Sequence, residues 1–157
     1  GALLKKGAGS YDYGSLLDIH DRYLVNGEAY RVTEVADYAF FEDQYISEIY
    51  LPACLERLDD TAFGYIPWLF NVDMTRCRSL TYIDWTVFQN DKRLETVRIP
   101  ANVERIKTEG CADFSPFNGC NPDKLVIEVD GSGPKEGWET YWNYIDENTQ
   151  AKTVYLK

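Results

Sequence analysis

The single histidine of the chain, His20, sits in Asp18-Ile-His20-Asp21, where flanking carboxylates could orient an imidazole as a general base. A base of that kind needs a nucleophile to act on. The sequence has no Gly-x-Ser-x-Gly elbow, no phosphate-cradling glycine loop and no His-Glu-x-x-His pair, so catalysis by His20 is not expected. The four cysteines, Cys54, Cys77, Cys111 and Cys120, form no Cys-x-x-Cys pair and lie far from His20, a spacing that does not build a zinc site. The carboxylate pairs Glu42-Asp43 and Asp59-Asp60 lack the Asp-x-Asp-x-Asp-Gly alternation of a calcium loop and read as solvated turns. The expectation is a chain with no catalytic residue, no metal and no cofactor.

Composition narrows the class further. With 157 residues, 45% apolar and 27% charged, the chain should fold as a single domain, 1–157, around a real core. Acidic residues outnumber basic ones by 26 to 16, a formal charge of −10, which repels nucleic acid and anionic membrane surfaces at long range. No apolar run is long enough to span a bilayer, and no secretory h-region follows Leu3-Leu4-Lys5-Lys6. Any export signal would have to lie upstream of Gly1.

The elements that must position these residues announce themselves by self-similarity. Val32, Val35, Ala39, Phe40, Ile46, Ile49, Leu51 and Pro52 return as Leu55, Leu58, Ala62, Phe63, Leu69, Val72, Met74 and Thr75. They return again as Leu80, Ile83, Val87, Phe88, Leu94, Val97, Ile99 and Pro100, and a fourth copy opens with Val103, Ile106, Gly110 and Cys111. The copies start at 32, 55, 80 and 103, steps of 23, 25 and 23, with the two extra residues around Thr75 to Ser79. Such a period belongs to stacked-coil architectures. Ile49-Tyr-Leu51 and Val97-Arg-Ile99 have strand period, and Pro52 and Pro100 stop the strand by removing a backbone donor. The Ala-Phe pair reads as a tight helical turn whose ring fills the core.

In combination, Ile49-Tyr-Leu51-Pro52 followed by Leu55-x-x-Leu58-x-x-x-Ala62-Phe63 resembles the BspA-like leucine-rich repeat, Leu-x-x-Val-x-Ile-Pro-x-x-Val-x-x-Ile-Gly-x-x-Ala-Phe-x-x-Cys. The likeness runs from about residue 30 to 130 and departs from the family pattern in places. Ala36, Asp59, Asp84 and Lys107 replace its glycine, only Cys120 falls at its cysteine, and Cys111 takes the aromatic column until Phe117 restores it past an insertion. The resemblance implies an α/β repeat solenoid, a right-handed superhelix of about four coils, each a strand plus a helical turn. It also implies a non-catalytic binding, adhesion or scaffolding module, extracellular or at a bacterial cell surface, contacting proteins. A glycan-binding accessory module using surface aromatics is the alternative.

Residues 1–31 and 130–157 flank the repeats of 32–129 and read as caps for the open solenoid ends. Asn26-Gly27 between Arg22–Val25 and Glu28–Val32 is a hairpin signal, and residues 7–15, rich in glycine and serine, read as loose. At the other end, Trp138, Tyr141, Trp142 and Ile145 have helical spacing and predict a capping helix, after which 153–156 should pair as a closing strand.

Candidate sites follow from this frame. Outward residues of successive strands, Glu48 and Tyr50, Asn71 and Asp73, Thr96 and Arg98, should align into a binding face or a merely solvated one. Trp68 and Trp85 lie outside the apolar columns and could stack on a sugar or anchor a partner, or pack on a neighbouring turn. Cys54 and Cys77 each follow the strand's last apolar residue by three, so they stand as a possible disulfide or as two buried thiols.

Overall fold

Alternation decides the first wall of the molecule. In Ile49-Tyr50-Leu51, Val97-Arg98-Ile99 and Ile127-Glu128-Val129 every second side chain is buried, the period of an extended strand. The computed structural model describes residues 15–157. Within it these segments form a six-stranded, wholly parallel sheet of β1 (Ser15–Asp18), β5 (Ile46–Tyr50), β7 (Asn71–Asp73), β9 (Thr96–Ile99), β11 (Val126–Asp130) and β14 (Lys152–Leu156), in that spatial order. The chain therefore makes about five turns around one interior. β14 pairs along β11 as the closing strand anticipated from 153–156.

A second parallel sheet stands across the core. It is built from the two-residue strands β4 (Glu34–Val35), β6 (Arg57–Leu58), β8 (Tyr82–Ile83) and β10 (Arg105–Ile106), with Val35, Leu58, Ile83 and Ile106 buried. A tight turn links the two walls. The Leu55 N–H donates to the Pro52 carbonyl at 3.1 Å, and Val103 to Pro100 at 3.2 Å. The middle copy uses two such turns in succession, Cys77 to Met74 and Leu80 to Cys77, which accommodates its two extra residues.

The third wall corrects the expected helical turn. The N–H groups of Phe40, Phe63 and Phe88 donate to Ala62, Val87 and Pro116 of the following coil, so they are not available for a helix. Between these bonds the backbone passes through left-handed residues four apart, Tyr38 and Glu42, Thr61 and Tyr65, Thr86 and Asn90. A run interrupted in this way is neither strand nor helix. Among the described residues the only helix is the 3-10 turn η1 (Ala112–Phe114). The fold is a β-solenoid of leucine-rich-repeat type with little helix, in place of the α/β solenoid of four coils inferred from sequence.

Phenylalanine fills the corner under this wall. The Phe40 and Phe63 rings stack at 5.3 Å, Phe63 and Phe88 at 6.1 Å, and Phe88 and Phe117 at 5.8 Å, all within 11° of parallel. Phe117 thus takes up the column where Cys111 had left it. Each buried ring stabilises by roughly 1.5–3 kcal/mol.

The flanks are hairpin and turn. β2 (Arg22–Val25) and β3 (Glu28–Arg31) pair antiparallel through Asn26 and Gly27, both at positive φ, as the Asn-Gly signal required. The reading of 7–15 as loose falls on residues outside the described ones, except that Ser15 opens β1. The capping helix is not formed. Trp138, Trp142 and Ile145 are buried, but Trp138 bridges in parallel to Ile106 and the Glu139 N–H donates to the Ile106 carbonyl. The segment continues the coil, with β12 (Tyr144–Asp146) and β13 (Thr149–Gln150) as a short hairpin before β14.

Candidate binding surface

Sheet register sets two rows of outward side chains on the first wall. Glu48 lies beside Asn71 and Asn71 beside Thr96; two residues along, Tyr50 lies beside Asp73 and Asp73 beside Arg98. All six face away from the buried Ile49, Val72 and Val97, with Tyr50 exposed and the others half-buried. The rows extend to Leu16 and Asp18 on β1 and to Val126 and Glu128 on β11.

Arg98 organises the charge of this face. Its guanidinium lies 3.0 Å from Glu128, 3.7 Å from Asp130 and 3.8 Å from Asp73. These groups are about two-thirds covered, and a pair so placed contributes little stability, typically about 0–1 kcal/mol. The cluster fixes where positive and negative charge are displayed on the face.

At the edge of the rows, Glu48 also borders a depression of about 570 Å³ shared with Trp68, Phe70, Arg93 and Glu95. Trp68 and Phe70 are each 40% exposed, and the Arg93 guanidinium lies 4.7 Å above the Trp68 ring. Phe70 escaped the sequence reading. Leu69 already filled the apolar column, and that adjacency was the available signal that the next ring faces outward. Trp85 belongs elsewhere: half-buried after β8, it packs 5.4 Å from Phe114, with the Lys107 ammonium 5.2 Å from its ring.

The remaining polar candidates turn inward or stand alone. Cys54 and Cys77 stand as two buried thiols, the second of the alternatives above; the Cys54 thiol donates to the carbonyls of Val32 at 3.2 Å and Asp21 at 3.4 Å. Burial, then the charge of Asp73, pushes the Cys77 thiol up to about 12. Asp43 and Asp59 are buried and not solvated. Asp43 accepts the N–H groups of Tyr45 and Ile46, and Asp59 takes the Arg57 guanidinium at 2.5 Å. Asp60 accepts the hydroxyls of Thr61 and Thr86 at 2.6 Å; burial opposes its charge, yet these bonds hold it below the ordinary carboxylate value. His20 is exposed, its ring tilted 6.0 Å from that of Tyr23. Among the described residues no group of three metal-ligating side chains converges, and no helix is long and apolar enough to cross a membrane.

Stacked coils, a phenylalanine column and second-sheet strands recurring every 23 to 25 residues describe a leucine-rich-repeat solenoid. The family model described as "BspA type Leucine rich repeat region (6 copies)" matches residues 27–124. The chain belongs to the BspA-type leucine-rich repeat family. Among solved structures this BspA-type chain is similar to a leucine-rich repeat protein from Bacteroides capillosus, with 27% identity and a TM-score of 0.57, over 71% of this chain and 75% of that one. No curated protein matches it. BspA-type repeats are typically protein-binding modules and generally non-catalytic, and no enzyme family matches here.

Proposed function

We propose that this chain is a non-catalytic module that holds a protein partner against the outer face of its six-stranded sheet, at a bacterial cell surface. The observation that carries the reading is the register of two polar rows, Glu48-Asn71-Thr96 and Tyr50-Asp73-Arg98, running into the depression of Trp68 and Phe70. A rigid solenoid presents such rows without ordering cost on binding, and exposed aromatics beside arginine are the side chains that most often anchor protein partners. Family membership supports a binding role, and the surface location rests on that kinship alone.

Site-specific photocrosslinking tests the face. A photoreactive residue at Tyr50 or Thr96 is expected to capture the same protein from host or neighbouring-cell surface extract, and one at Tyr82 on the second sheet is not. Equal capture from Tyr82 removes the sheet face from the proposal. A glycan-binding role is favoured only by the exposure of the Trp68 ring. Retention on a glycan array that is abolished by Trp68→Ala, or by Trp85→Ala, would put the sugar reading in its place.

A further inference from the structure

The hairpin of β2 and β3 and the tight turns of the next two coils line a pocket of about 310 Å³, its residues including Asp21, Arg22, Arg31, Cys54, Arg78 and Ser79. Three arginines and one aspartate line it, in a chain whose formal charge is −10. None of the three is ion-paired with a described residue. Arg22 and Arg31 are direct cross-strand partners, so both side chains leave the same face of the hairpin. Like charges placed opposite each other destabilise a hairpin. Arg78 and Ser79 come from the stretch that holds the two residues lengthening the second repeat step to 25. Hairpin and insertion thus deliver positive charge to one pocket, and no ion pair among the described residues consumes it.

We propose that this pocket binds a phosphate monoester. Arginine forks match the planar pairs of oxygens that phosphate presents and bind them through two parallel N–H bonds. Charge selects the class: three arginines less Asp21 leave two positive charges, which a phosphate monoester near neutral pH offsets with a charge of about −1.5 to −2. A carboxylate or a sulfate monoester brings only one. The site is separate from the sheet face and does not depend on the reading given for it.

Isothermal titration of the chain with phenyl phosphate, phenyl sulfate and benzoate at constant ionic strength tests this. Phenyl phosphate is expected to bind one to one and at least tenfold more tightly than the other two. Its affinity should fall as pH drops through the second phosphate ionisation near ~6. Arg78→Gln and Arg31→Gln, both at exposed residues, should each weaken it about tenfold without lowering the melting temperature, and Arg105→Gln on the second sheet should leave it unchanged. Phenyl phosphate binding no better than benzoate, or binding that survives Arg78→Gln, overturns the proposal.

Discussion

Asp91 accepts the backbone N–H of Ile66, in the coil before it, through Oδ1 at 2.7 Å, while its Oδ2 is buried with no hydrogen-bond partner among the described residues. Asp91 occupies the repeat column that holds Cys120 one coil later, and the Cys120 thiol there donates to the Phe88 carbonyl at 3.2 Å. One column therefore stitches neighbouring coils with two different side chains; burial raises both, but only the carboxyl would otherwise be ionised at neutral pH.

That difference gives a pH dependence. Complete burial holds the Asp91 carboxyl well above the ordinary value, and the Ile66 N–H offsets only part of this. The unfolded chain ionises the acid near ~3.9 and the folded chain only at higher pH, so between the two values folding takes up a proton. The stabilisation from Asp91 is full below that unfolded value and is lost as pH rises through the raised folded one. Asp91→Asn retains an acceptor for Ile66 and removes the titration. Its urea midpoint is expected to gain on the wild type as pH rises from about 4; parallel profiles for the two proteins would refute the assignment.

Phe63 has a stacked ring above and below it, at 5.3 and 6.1 Å, and is fully buried. Phe63→Ala opens a cavity in the middle of the column and is expected to cost about 3–5 kcal/mol. Thermal and urea melts measure this. A loss below about 1 kcal/mol would show that the column is not a principal source of stability.

Gly137 carries the return of the chain onto the second sheet. A Cβ built there would lie well inside contact distance of the Glu104 carbonyl, a backbone group that cannot swing aside. Gly137→Ala is expected to destabilise by about 1–3 kcal/mol, the usual range for overpacking. The damage should fall on the last turn, since Trp138 donates its indole N–H to the Val103 carbonyl at 3.1 Å. Hydrogen exchange should quicken across 135–157 and spare the Phe63 coil. Unchanged protection over 135–157 would mean that the contact relaxes freely.

Sequence alone determined the periodic part of this protein. Inward positions such as Ile49, Val72 and Val97, and the rings of Phe40, Phe63 and Phe88, recur at fixed spacing because burial in a solenoid repeats with the coil, and the outward rows follow from strand alternation. The Asn26-Gly27 hairpin was legible for the same local reason, a turn conformation that those two residue types favour. Tertiary structure decided where backbone hydrogen bonds go. A two-residue strand such as Arg57–Leu58 shows no alternation to read, and whether Phe63 donates within a helix or to Val87 depends on a coil lying 24 residues further along the chain. The same holds for the helical spacing of Trp138 and Trp142, which buried both rings without a helix because the backbone bonds to the Ile106 strand instead. It holds also for the convergence of Arg22, Arg31 and Arg78 and for the inward turn of Asp43, Asp59 and Asp91. Local sequence encodes which side chains must leave water; which partner satisfies a backbone or charged group is settled only when distant coils are brought into register.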